Sequence, residues 1–143
     1  GANSFSAPTD MQIHHNTLYY PDGSVDQGAA IYLYGPRDVS VENNEVVNDS
    51  SNVTASAFLL LPAIFQKPWE DPDEIDSPNV ARVHNASVIG NTSLGKRPLP
   101  MHMSGNCNAY VGRVVVRDNL AGDFNFYCDN VIAHGNKRTH SPR

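Results

Sequence analysis

Five times in 143 residues the chain writes the same phrase, apolar-x-apolar-x-x-Asn, and no other feature limits its fold as much. Met11, Ile13 and Asn16 carry it first, then Val39, Val41 and Asn44, then Ala86, Val88 and Asn91. Val114, Val116 and Asn119 follow, and Val131, Ala133 and Asn136 close the series. Within each phrase apolar and polar residues alternate as in a half-buried strand, until the asparagine interrupts them. Asn16 to Asn44 is 28 residues, Asn91 to Asn119 is 28 again, Asn119 to Asn136 is 17, and Asn44 to Asn91 is 47. The longest gap fits a second unit or an insertion. Repetition on this scale signals a solenoid, one structural unit stacked on the next.

Two solenoids compete. The leucine-rich repeat has a similar phrase and an overlapping period. Here, however, eight Leu stand against fourteen Val, and no 3.6-residue apolar period of a helix runs between the phrases. Those stretches hold Gly, Pro and a second strand-like run: "GAAIYLYG" at 28–35, "SAFLLL" at 56–61, "PMHMSG" at 100–105 and "DFNFYC" at 123–128. Two short strands per unit, joined by Gly, Asn and Asp turns, describe an all-β chain: a right-handed single-stranded parallel β-helix of about five coils.

The five phrases, with "GAAIYLYGPRDVSVENNEVV", resemble the parallel β-helix repeat members of the pectin-lyase-like superfamily. The resemblance spans most of the chain apart from 62–78, an inserted loop in a single domain, 1–143. It implies an extracellular or virion-surface protein that binds and cleaves a polysaccharide lying along the strands, by lyase or glycoside hydrolase chemistry. That superfamily also holds phage tailspikes. A non-catalytic glycan-binding or structural section of a tailspike, adhesin or larger enzyme is therefore the alternative.

Inside such a coil the inward side chains of one strand stack on those of the next. An inward asparagine at the bend bonds its amide to the asparagine above it and to turn backbone. Asn16, Asn44, Asn91, Asn119 and Asn136 are thus expected to be structural, a ladder satisfying polar groups that a tight bend would strand.

Side chains alternate along a strand, so the same register fixes the outer face. One outward column reads His14, Glu42, Ile89, Arg117 and His134, and its neighbour Gln12, Ser40, Ser87, Val115 and Ile132. The second strand turns out Tyr32, Tyr34, His102, Ser104, Asn125 and Tyr127. Aromatic faces cover sugar C–H surfaces and planar polar groups pair with hydroxyls, which makes Tyr32, Tyr34, His14, Trp69 and His134 the candidate sugar contacts. Strand propensity alone also accounts for surface tyrosines. For cleavage the candidates are Arg117 as base, Glu42 and Asp118 (with Asp123) as acids, and His102 as proton carrier. "HH" at 14–15 is expected to point its rings to opposite sides, unlike a chelating helical pair.

The stretch "KPWEDPDEIDSP" at 67–78 holds five acidic residues, three prolines and the sole Trp. It reads either as a calcium site from Asp71, Asp73, Glu74 and Asp76, with Trp69 a stacking wall, or as a solvated, proline-stiffened loop. Cys107 and Cys128, 21 residues apart, are either a disulfide between neighbouring coils or two buried thiols.

Formal charge −5 and pI near 5.6 argue against nucleic acid and anionic membrane surfaces as partners. No run of 18 apolar residues offers a helical span. Sequons at Asn48, Asn52, Asn85 and Asn91 lend some support to secretion, although Asn91 is expected to point inward. The opening "GANSFSAPTD" lacks an initiator Met and reads as a processing boundary; neither it nor "KRTHSPR" at 137–143 looks like a cap. Further β-helix segments or chains are expected to cover the end coils.

Overall fold

The computed structural model describes residues 10–34, 37–61, 63–64, 80–103, 107–125 and 128–139. Among them there is no α-helix, only one helical turn at Cys107–Ala109. The rest is short strands in stacked parallel sheets, an all-β arrangement consistent with a β-helix.

The chain visits three sheets in turn and then begins again. The first sheet holds Gln12–His14, Arg37–Glu42, Val83–Ile89, Tyr110–Val111, Val114–Arg117 and Val131–His134. The second holds Thr17–Tyr20, Glu45–Asn48, Thr92–Leu94, Leu120–Ala121 and Lys137–Arg138. The third holds Ala29–Tyr34, Ser56–Leu61, Met101–Met103 and Phe124–Asn125. In each of these three sheets neighbouring strands come from consecutive repeats and run parallel.

Each of the first four repeats therefore visits three sheets where the sequence suggests two strands, and the fifth shows strands in two of them among the described residues. The second-sheet strands are two to four residues long and follow each asparagine at once, so they read as the tail of the preceding strand. Lys137–Arg138, in what looks like a polar tail, is one of them.

The phrases set the register. Ile13 pairs with Val41, Val41 with Val88, Val88 with Val116 and Val116 with Ala133. Val41, Val88 and Val116 are 1–2% exposed, and each valine so buried contributes about 1.5–3 kcal/mol. The end members are less covered: Ile13 is half-buried and Ala133 exposed. From the third sheet Phe58 and Met101 join the same core, in register with each other.

The long gap still links neighbouring strands, since Val41 pairs with Val88 and Asn44 bonds Asn91 across it. The spacing of 47 exceeds 28 by 19 residues, which is the length of segment 63–81. That segment leaves and returns through an antiparallel ladder, Ala63 opposite Ala81 and Ile64 opposite Val80. Cys107 and Cys128 form a disulfide with Cα atoms 5.3 Å apart.

Candidate functional site

The asparagines build the frame. Asn16 Nδ2 donates to Asn44 Oδ1 at 3.1 Å, Asn44 Nδ2 to Asn91 Oδ1 at 3.0 Å, Asn91 Nδ2 to Asn119 Oδ1 at 3.0 Å and Asn119 Nδ2 to Asn136 Oδ1 at 2.9 Å. Each of these oxygens also accepts the backbone N–H of the preceding asparagine. Each later Nδ2 reaches back to a carbonyl of the previous repeat, on Ile13, Val41, Val88 and Val116. Asn44, Asn91 and Asn119 are at most 1% exposed, whereas Asn16 is exposed and Asn136 half-buried.

The residue before each of these asparagines is left-handed: His15, Asn43, Gly90, Asp118 and Gly135 have φ between 55° and 70°. Asn and Asp tolerate this conformation and Gly is indifferent to it. At Gly90 a Cβ would meet Asn43 Oδ1 at 2.6 Å, and at Gly135 it would run into Asp118 Oδ1.

On this frame the outward column forms in register: His14 opposite Glu42, Glu42 opposite Ile89, Ile89 opposite Arg117 and Arg117 opposite His134. Neighbouring strands lie about 4.8 Å apart. Glu42 and Arg117, with Ile89 between them, are therefore separated by about two strand spacings. Arg117 Nη1 donates to Asp118 Oδ2 at 2.7 Å, both side chains being about half exposed, at 41% and 52%. A guanidinium is all donor, so this pair is better suited to holding an acceptor than to removing a proton.

In the adjoining column Gln12, Ser40, Ser87, Val115 and Ile132 are likewise in register. Val115, expected on the open surface, is buried at 5%, while Ile132 is 45% exposed. Val115 lies between paired neighbours on both sides, whereas Ile132 belongs to the last first-sheet strand described.

The third sheet aligns Tyr32, Leu59, His102 and Asn125. Tyr32 is 39% exposed; Tyr34 pairs with Leu61, and its side chain lies outside the described set. The four catalytic candidates are thus divided: Glu42, Arg117 and Asp118 border the first sheet and His102 sits on the third. Ser104 and Tyr127, and Trp69, Asp71, Asp73, Glu74 and Asp76 of the insertion, lie outside the described residues.

The two neighbouring histidines do not diverge as strand alternation demands. His15 is left-handed, and the two Nδ1 atoms come to 2.9 Å.

Sequence reasoning missed the turns after the second sheet. Tyr19, 58% exposed, donates its hydroxyl to Asp49 Oδ2 at 2.9 Å, and Asp49 Oδ1 accepts the Lys96 backbone N–H at 3.0 Å. These bonds, the Lys96 N–H foremost, hold the Asp49 carboxyl below its usual range, and the bond to Asp49 pushes the Tyr19 phenol up. Asn48, fully buried, bonds Ser50 and the Arg97 carbonyl. That burial removes its sequon from consideration. The available signal was "GKRP" after one strand and "NDSSN" after another.

No protein-family model matches the chain, and no curated protein or solved structure matches it either.

Proposed function

We propose that the chain is a right-handed single-stranded parallel β-helix of about five coils that binds an extended polysaccharide outside the cell or on a virion. The observation carrying this reading is the outward first-sheet column, where His14, Glu42, Arg117 and His134 recur in register on a frame fixed by the buried asparagines. Planar polar groups on either side of apolar Ile89 offer an extended glycan partners for its hydroxyls and a surface for a C–H face. The disulfide supports an oxidising compartment. Exposed Asn16 and Ala133 at the outer repeats support further β-helix segments or chains as partners.

Cleavage, by lyase or hydrolase chemistry, is the second reading. It is favoured by Arg117, Asp118 and His134 lying together at one end of the column. It is weakened by the distance to Glu42 and by His102 standing on another sheet.

The test is electrophoresis through gels containing neutral or uronic polysaccharides, run alongside assays for reducing ends and unsaturated products. Retardation without product release, reduced in Arg117→Ala, is expected. Unretarded migration in every gel would sink the binding reading. Product release lost in a folded Arg117→Ala variant would promote cleavage to first place, and a response to chelator would place calcium in the reaction.

A further inference from the structure

The turns leading from the second sheet to the third enclose a groove separate from the outward column. At one end is a cleft of about 470 Å³ lined by Asp22, Asp49, Ser51, Lys96 and Arg97. Ser51 and Arg97 also line an adjoining depression of about 500 Å³, where half-buried Pro98 and Pro100, beside the buried Val53, Ala55 and Leu99, supply an apolar wall. Both volumes fall in the range of small-molecule sites, about 300–1,000 Å³. Sharing Ser51 and Arg97, they adjoin as the two parts of a groove, the first lined by charged residues and the second partly by apolar ones.

Its walls are tied to each other. Asn48 Nδ2 donates to the Arg97 carbonyl at 3.0 Å, and the Arg97 N–H donates back to the Asn48 carbonyl at 3.0 Å. The Lys96 N–H is held by Asp49, and the Leu99 N–H by Ser93 Oγ at 2.8 Å. A groove fixed before its ligand arrives spends little affinity on ordering.

The charges choose the ligand. Two carboxylates, Asp22 and Asp49, stand against two cations, Lys96 and Arg97, so the lining carries no net charge. An ion gains attraction from one pair and repulsion from the other. A hydroxyl donates one hydrogen bond and accepts two, so a pair of neighbouring hydroxyls satisfies carboxylate and guanidinium together. Among the described residues no side-chain ion pair engages the Arg97 guanidinium, which leaves it open to such a partner. The apolar wall asks in turn for a ligand with a C–H face.

We propose that this groove binds a neutral oligosaccharide, its hydroxyls on Asp22, Asp49 and Arg97 and a C–H face against Pro98 and Pro100. The proposal rests on the glycan-binding reading above but moves the ligand to a different surface, so the two are tested apart.

Short gluco-, manno-, galacto- and xylo-oligosaccharides, with the corresponding uronates, are titrated calorimetrically into the whole chain and its variants. Asp22 and Arg97 are exposed, so Asp22→Ala and Arg97→Ala leave the core alone, and melting curves verify it. Each is expected to weaken a neutral ligand by roughly tenfold or more, the loss of a hydrogen bond to a charged group. Lys137→Ala, at an exposed position outside both groove and column, is expected to leave the affinity unchanged, and added salt to change it little. Binding lost in Arg117→Ala yet intact in Asp22→Ala and Arg97→Ala would discard the groove and keep the column. Preference for uronates with steep salt dependence would overturn the neutral ligand. Silence from every short saccharide would overturn the groove alone, since the column's ligand is an extended polysaccharide and is tested by the gels.

Discussion

The corner between the first and second sheets and the turn between the second and third face one task, reversing the chain while keeping its polar groups bonded. At the corner every repeat uses the same device, a left-handed residue followed by asparagine. At the turn each repeat uses a different one. Asp26 takes the Tyr20 hydroxyl and the Gly28 N–H in the first repeat, and Asn48 and Ser50 clasp each other in the next. Ser93 caps Leu99 in the third, and in the fourth Gly122 lies against the Pro98 carbonyl, where a side chain would not fit. The difference follows from what each device bonds to. A corner asparagine bonds its counterparts one repeat away, so an exception in one repeat strands groups in the next. A turn residue bonds mainly its own repeat and its near neighbours, so turns are free to vary in length and chemistry. Uniform corners secure the stack; variable turns are where a groove can open.

The largest effect should come from breaking the corner at its centre. Asn91→Ala removes the acceptor for the Asn44 N–H and amide, and the donor to the Val41 carbonyl and Asn119 Oδ1, all buried. With about 1–3 kcal/mol for each polar group left unsatisfied, the expected loss is roughly 3–5 kcal/mol by denaturant unfolding. Asn16→Ala, at an exposed rung where water substitutes, is expected to cost under about 1 kcal/mol. Equal losses at the two positions would show that burial along the ladder is not what gives it value.

The same asymmetry decides what could be read in advance. Corner positions, inward valines and the outward column follow from a repeated phrase, because stacked identical residues must share a register. The placement of Arg117 beside His134 was legible on that basis. The second sheet was not, since its strands are too short to show a period and begin directly after the asparagine. The groove was invisible for another reason. Asp22, Asp49 and Arg97 come from three turns of unlike sequence, and only the stacking of repeats brings them together. The facing of His14 and His15 escaped because one left-handed residue cancels the strand alternation.

A smaller effect is expected at the turn. Asn48→Ala leaves the Ser50 N–H and the Arg97 carbonyl without a buried partner, but the asparagine ladder remains whole. The expected cost is about 2 kcal/mol, with normal cooperativity of unfolding, and a weakened groove because the two walls lose one of their ties. A loss as large as that of Asn91→Ala would erase the contrast between corner and turn.

The smallest effect belongs to the first turn, and pH isolates it. Burial, with the hydrogen bond to Asp26 Oδ2 at 2.6 Å, pushes the Tyr20 phenol from 10.0 up to about 12. Between those values the unfolded chain gives up a proton that the folded chain keeps. The unfolded state then binds fewer protons, so stability falls as pH rises through that interval and is complete below it. Asp26 works at the other limb: the Tyr20 hydroxyl and the Gly28 N–H hold its carboxyl below the usual range, and their support fades as pH falls through its folded value. Tyr20→Phe removes both donor and late-titrating phenol. The variant should lose the last step of the tyrosinate absorbance titration, and its stability should decline less between about pH 10 and 12 than that of the parent. A parent and variant that fall together would mean that the phenol is already ionised at the lower end of the interval. The first turn would then be held by the backbone bond to Asp26, and the turn devices would be more alike than their side chains suggest.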